Sequence, residues 1–298
     1  MVSDPKTRKV EKVVSTIQEE AEQIDSISVI RGWFRPDKGS ASYQLVQDYL
    51  NGTKTLAEAI THLSEHIHHL ESQRKKFNYF ELALSILHSA KRIPWKNEEK
   101  HTQLVEFVRQ LKSPSLDGVD YPYGIPDWEM GISEVLNDSP GVGSGYSLPE
   151  AHAWTNLSYF LARIERERPS ESFYPLRGLW ELRAALETVH KDDGENDVHV
   201  PGTATEKYNA RVPAAAMWVF VLGKALYEFE KDLTPTSPNE GSLGQGGELW
   251  DGKPEFGKRR WGLWKRRFEE ISHMRELSDE ARNIVKEVVE VMNNVEAP

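Results

Sequence analysis

The residues whose types and spacing could carry chemistry fall in a few short stretches. His62-Leu63-Ser64-Glu65-His66 sets two imidazoles four residues apart within a helical pattern. That interval puts both rings on one helix face, where they could share a metal ion with Glu65 as base. The order His-x-x-Glu-His is the inverse of the common zinc-protease order. His69 falls in the same sector, and no spacing singles out a third ligand. The simpler reading is the polar shoulder of an amphipathic helix, with His68 and His69 part of a histidine-rich surface. A zinc helix needs a complete ligand set and hydrogen bonds to orient it.

Asp192-Asp193-Gly194-Glu195-Asn196-Asp197 supplies acidic oxygens of the kind that hold Mg²⁺ against a diphosphate. It resembles the Asp-Asp-x-x-Asp motif of terpene cyclases, which are all-α and of similar length. The second motif of that family is missing, because Asn196-Asp197 runs into Val-His-Val-Pro-Gly. A solvated connection built from turn formers is preferred. Gly141-Val142-Gly143-Ser144-Gly145 precedes a capped helix and could cradle a phosphate on free N–H groups. No strand precedes it and no lysine follows, so a flexible loop is the better reading.

Lys258-Arg259-Arg260 recurs seven residues later as Lys265-Arg266-Arg267, around Trp261, Trp264, Phe268 and Ile271. Interleaved basic and aromatic residues could bind RNA or an acidic partner. A helical wheel gathers the tryptophans to one side, as a core does, and Glu269 and Glu270 offset part of the charge. The expectation is a packed helix with a basic outer face. Arg259, Arg260, Arg266 and Arg267 are its candidate interaction surface.

These stretches need a helical frame, and the sequence supplies one. Val212 to Phe229 is the most apolar window, apolar all round a 3.6-residue wheel, and such a helix must be surrounded by protein. Pro213 suits its first turn, and after Gly223 the pattern narrows to Ala225, Leu226 and Phe229. Lys224 interrupts the window before the ~20 apolar residues a bilayer needs. A first amphipathic helix is expected across Val10, Val13, Val14, Ile17, Ala21 and Ile24. Capping boxes at Thr55/Glu58 and Ser147/Glu150 open two others, and Asn97 caps another. Further helices are expected over Ser42 to Leu50, Arg74 to Arg92, Trp128 to Leu136, Ser172 to His190, Lys258 to Arg275 and Ser278 to Val295.

Pro114 to Pro126 reads as irregular. Leu233 to Gly257, crowded with Pro, Gly and Ser, reads as the most mobile internal excursion. No period-two pattern persists, so the fold class is all-α, a single large bundle or array of about ten helices with no β-sheet. Residues 1–40 form an N-terminal amphipathic helix and loop, and residues 41–298 a single all-α domain.

Composition narrows the function classes. The chain has 298 residues, 28% of them charged, and a formal net charge of −10, which weighs against nucleic acid. Having no cysteine excludes disulfides, thiolate nucleophiles and sulfur-ligated metals. The charged start leads into no apolar run and the end carries no lipidation motif, so cytoplasm or nucleus is expected, without membrane attachment.

Leu84 to Pro94 (LSILHSAKRIP), Trp180 to Glu187 (WELRAALE), Pro213 to Glu228 (PAAAMWVFVLGKALYE) and Glu248 to Phe268 (ELWDGKPEFGKRRWGLWKRRF) together resemble a fungal family of uncharacterised intracellular proteins. That family is catalogued only as a domain of unknown function. The resemblance covers most of the chain from about Tyr43 onward, and the Trp-rich final segment is its most specific part. The resemblance implies an all-α fold and transfers no catalytic residue.

The resulting expectation is a non-catalytic intracellular module that binds another protein, or a small apolar ligand between helices, without a cofactor. The alternative is a metal-dependent enzyme using the His62/Glu65/His66 helix or the loop holding Asp192, Asp193 and Asp197.

Overall fold

Capping chemistry sets most of the helix ends. The computed structural model describes residues 5–111, 125–168, 170–194, 200–237 and 239–297. These contain twelve α-helices and one pair of two-residue strands, so the chain is predominantly all-α. It divides into two compact units, Met1–Leu157 and Ser158–Pro298.

The first unit begins with α1 (Pro5–Thr16) and α2 (Glu20–Arg31), where one helix was expected. The break has a local cause. Ser15 and Thr16 hydroxyls donate back to the Lys12 carbonyl, and Gln23 Nε2 donates to Ile17 O at 2.6 Å, satisfying a carbonyl that a continuing helix would have used. There follow α3 (Ala41–Leu50), α4 (Leu56–Ser72), α5 (Tyr79–Arg92), α6 (Glu98–Gln110) and α7 (Trp128–Leu136). Thr55 and Glu58 form the expected capping box on α4, and Asn97 caps α6. Helix α5 is the centre of this unit, packing on α2, α3, α6 and α7 and burying Leu82, Ala83, Ile86, Leu87 and Ala90. A Cβ on Gly131 of α7 would lie 2.8 Å from Ala83 Cβ, so that helix pair approaches too closely for any larger residue. The stretch expected to be irregular from Pro114 lies outside the described residues as far as Gly124. Helix α8 (Leu148–Arg166) runs across the division between units.

The second unit contains α9 (Leu176–Leu186), α10 (Ala204–Glu228), α11 (Lys258–Ser272) and α12 (Asp279–Glu296), the last capped by Ser278. Helix α10 packs on α9 and α12, and α11 packs on α12. It starts well before Pro213, because Thr203 and Glu206 form a capping box, so the proline sits inside the helix instead of in its first turn. At Gly223 the backbone leaves helical geometry (φ 2°, ψ −85°) and the helix kinks.

The expectation of no β-sheet needs one correction. β1 (Lys231–Asp232) pairs antiparallel with β2 (Glu255–Phe256), setting Lys231 opposite Phe256. Two residues per strand are too few to show a period-two pattern. The ladder closes the neck of the excursion between α10 and α11.

Candidate ligand groove and the strap beside it

The excursion expected to be mobile is fastened at its neck and from Leu243 to Leu249. Glu187, which caps the C-terminus of α9, and Arg260 in the first turn of α11 are both wholly buried. Arg260 Nε donates to Glu187 Oε1 at 2.7 Å and Nη2 to Oε2 at 2.9 Å, a two-pronged bond that matches the planar fork of each group. Trp264 Nε1 and the Gly247 amide also donate to that carboxylate, at 2.7 and 2.8 Å. The remaining guanidinium N–H groups go to the carbonyls of Gly244 and Glu255, both at 2.8 Å, and of Gln245 at 3.3 Å. Trp180 Nε1 and Arg183 Nη1 then hold the Leu243 and Gln245 carbonyls at 2.9 Å each. The segment is a strap over α9 and α11.

The apolar demand of α10 is met on most of its circumference, where Val212, Ala214, Ala215, Ala216, Met217, Trp218 and Val219 are buried. It is not met everywhere. Phe220 and Val221 stay half-exposed, and Ala225 is exposed. With Phe173, and with Val291 and Val295 from α12, they line a groove of ≈540 Å³ at the kink. Lys224 lies on its rim, with Arg166 and Arg168 at the end of α8. A neighbouring hollow of ≈470 Å³ shares Lys224, Val291 and Val295 with it and is also lined by Tyr227, Glu228 and Glu296. A Cβ on Gly223 would lie 3.3 Å from Val295 Cγ2, so the kink residue sits close against α12.

The first unit buries a polar cluster of its own. His88 Nε2 lies 2.8 Å from Asp25 Oδ1, and Lys91 Nζ donates to Asp138 Oδ2 at 2.6 Å beneath the Trp33 ring. Burial pushes the His88 and Lys91 pKa values down and that of Asp138 up. The cavity beside them is ≈20 Å³, room for about one water. These contacts fasten the Trp33–Phe34 loop to α5.

Residues 84–268, more than half of the chain, match the family model described as "Protein of unknown function (DUF3632)". The chain belongs to this family. The four segments singled out in the sequence lie within the match, which begins at Leu84 and ends at Phe268, a shorter span than the expected one from about Tyr43 onward. No curated protein and no solved structure matches the chain significantly. The DUF3632 span contains Glu187, the kink at Gly223, Arg260 and Trp264, whereas the histidine helix and α12 lie outside it.

The histidine helix is α4, and His62, Glu65 and His66 all lie on its exposed side. His66 packs edge-on against Phe77 at 5.8 Å, and His69 Nε2 is 2.8 Å from Gln73 Nε2. Among the described residues no group of three or more His, Asp or Glu is placed to hold a metal. The acidic loop has a structural use. Asp192 Oδ1 accepts from the Ala204 amide at 2.7 Å, and Asp193 accepts from Gly202 at 2.9 Å and from Lys207. Both carboxylates thus anchor the N-terminus of α10, where negative charge is favoured. Asp197 lies outside the described residues.

Glu150 fills the glycine loop at the start of α8. Its carboxylate accepts from the amides of Gly145 (2.8 Å) and Ser147 (3.2 Å) and from Arg31 Nε (2.7 Å), occupying the place a phosphate would take. The basic face is divided. Arg259 and Arg266 are exposed, Arg260 is buried against Glu187, and Arg267 turns partly inward to Leu186 O. Arg260 therefore leaves the expected interaction surface, because its charge is already neutralised inside. The groove was missed in sequence. Its only trace was the all-round apolar character of α10, which states a need for partners without saying whether the chain supplies them all.

Proposed function

We propose that the protein is a non-catalytic binding module of the cytoplasm or nucleus, and that its ligand lies in the groove of the second unit along α10 and α12. The observation that carries this is the groove at the kink of α10, where Val221 is only part-buried and Ala225 is exposed beside Val291 and Val295 of α12. Apolar surface facing water costs roughly 25 cal/mol per Å², which a ligand seated along α10 and α12 would recover. An environment-sensitive apolar dye, anilinonaphthalene sulfonate, tests it. The dye should brighten on the folded protein, and Ala225→Glu, at an exposed position, should abolish the response. A signal untouched by Ala225→Glu would remove the groove from consideration.

A further inference from the structure

Resting on that reading of the groove, we infer that its occupant is an amphipathic helix of a partner protein, carrying acidic side chains beside its apolar stripe. Two observations lead there. The first is shape. The trough follows α10 from Phe220 past the kink to Glu228 and is walled on the other side by α12 from Val291 to Glu296. It is open to solvent, since Lys224, Ala225 and Glu228 are exposed and Val221, Val291 and Val295 are only part-buried. A small apolar ligand is normally enclosed on most of its surface, which this trough cannot do. A helix needs only one face covered, and an apolar stripe at i, i+3, i+4 and i+7 matches a trough between two helices.

The second observation is charge. The protein as a whole carries −10, yet the lining at the kink gathers Arg166, Arg168 and Lys224, while the carboxylates Glu228 and Glu296 line the stretch beyond it. Arg168 bonds Glu165 at 3.1 Å, while Arg166 is exposed. Lys224 is 79% exposed and its contact with Glu228 is a loose 3.8 Å, a pair that solvent screens. Glu296, at the far end, is already held by Trp261 Nε1 at 2.8 Å and Lys265 Nζ at 2.5 Å. The polar rim near the kink therefore favours acids over bases. A cationic helix would meet like charge there, which is how such a rim selects against wrong partners.

Two fluorescent peptides with the same leucine stripe, one flanked by glutamates and one by lysines, test this on the full-length chain by fluorescence anisotropy. The Glu peptide should bind at least about tenfold more tightly than the Lys peptide, and the gap should narrow as salt is raised. Arg166→Glu with Lys224→Glu, both at exposed positions, should invert the preference. Equal affinity for the two peptides, or a preference that survives the charge reversal, would overturn the inference. Dye binding sensitive to Ala225→Glu but displaced only by oleate, with no peptide bound, would overturn the helix and leave the binding module standing. If neither dye nor peptide responds to Ala225→Glu, both fall.

Discussion

Arg260 and Glu187 face each other with both side chains wholly withdrawn from water, bonded at 2.7 and 2.9 Å across 73 residues of sequence. Removing one member of such a pair strands the other charge, at a cost of ~3–5 kcal/mol. Arg260→Met should therefore lower the urea midpoint strongly. Arg260→Met combined with Glu187→Leu should cost much less than the sum of the single changes. Simple additivity in that cycle would show that the two groups do not interact as described.

Trp261 and Trp264 are 2% and 1% exposed, and each donates its indole N–H to a carboxylate, Glu296 and Glu187. Replacing either by alanine should destabilise by ~3–5 kcal/mol, the usual cost of emptying a buried aromatic site. Trp264→Phe should also cost stability, since Glu187 loses a donor while most of the volume is kept. Denaturant midpoints that barely move would place these rings outside the core.

Gly178 sits inside α9 with the Trp218 ring against it. A Cβ there would lie 2.8 Å from Cε3. Helix propensity alone makes Gly→Ala favourable by about 1 kcal/mol. Gly178→Ala should nevertheless be destabilising by ~1–3 kcal/mol, because an aromatic ring wedged between two helices has little room to yield. A gain in melting temperature would contradict the close packing of α9 on α10.

His190 has its pKa lowered from 6.5 to about 4, first by burial and then by the nearby charges of Arg211, Lys207 and Arg267. Between those values the unfolded chain holds a proton that the folded one does not, so stability falls as pH drops from about 6.5 to 4. The stability lost between neutral pH and pH 4 is roughly 3 kcal/mol at most. Burial pushes His88 in the same direction and adds to the loss. Urea unfolding at several pH values should show this slope, and His190→Gln should flatten part of it. An unchanged slope in the variant would assign the effect elsewhere.

The exposed histidines of α4 give the metal reading a direct test. A bound metal would stabilise the folded state by about 2.7 kcal/mol at a hundredfold excess over Kd, and a chelator would reverse it. With His62 and His66 exposed and no third ligand placed beside them among the described residues, neither effect is expected. His62→Ala should shift stability by no more than ~0.5 kcal/mol. A stoichiometric metal that survives dialysis and is lost in that variant would promote the metal-dependent reading.

What could be read in advance followed the range of each signal. Thr55 with Glu58, Asn97 and Ser278 cap helices through contacts spanning three residues, and such signals stand complete in the sequence. The division between α1 and α2 depends on Gln23 reaching back to Ile17, a polar bond that an apolar wheel does not register. Arg260 misled for a related reason. On the wheel it belongs with its basic neighbours, and only Glu187, far off in sequence, turns it inward. Asp192 and Asp193 looked like ligands because anchoring a helix and holding a cation call for the same oxygens.

The strap also has a mechanical consequence. On one side, the Leu233 amide donates to the Pro254 carbonyl at 2.8 Å next to the β1–β2 ladder. On the other, the carbonyls of Leu243 and Gln245 are held by Trp180 and Arg183. A backbone cut near Gly241 would fall between these two fastenings, and each new end would stay moored to the body it left. The nicked chain would travel as one particle under native conditions and part into two fragments only in denaturant.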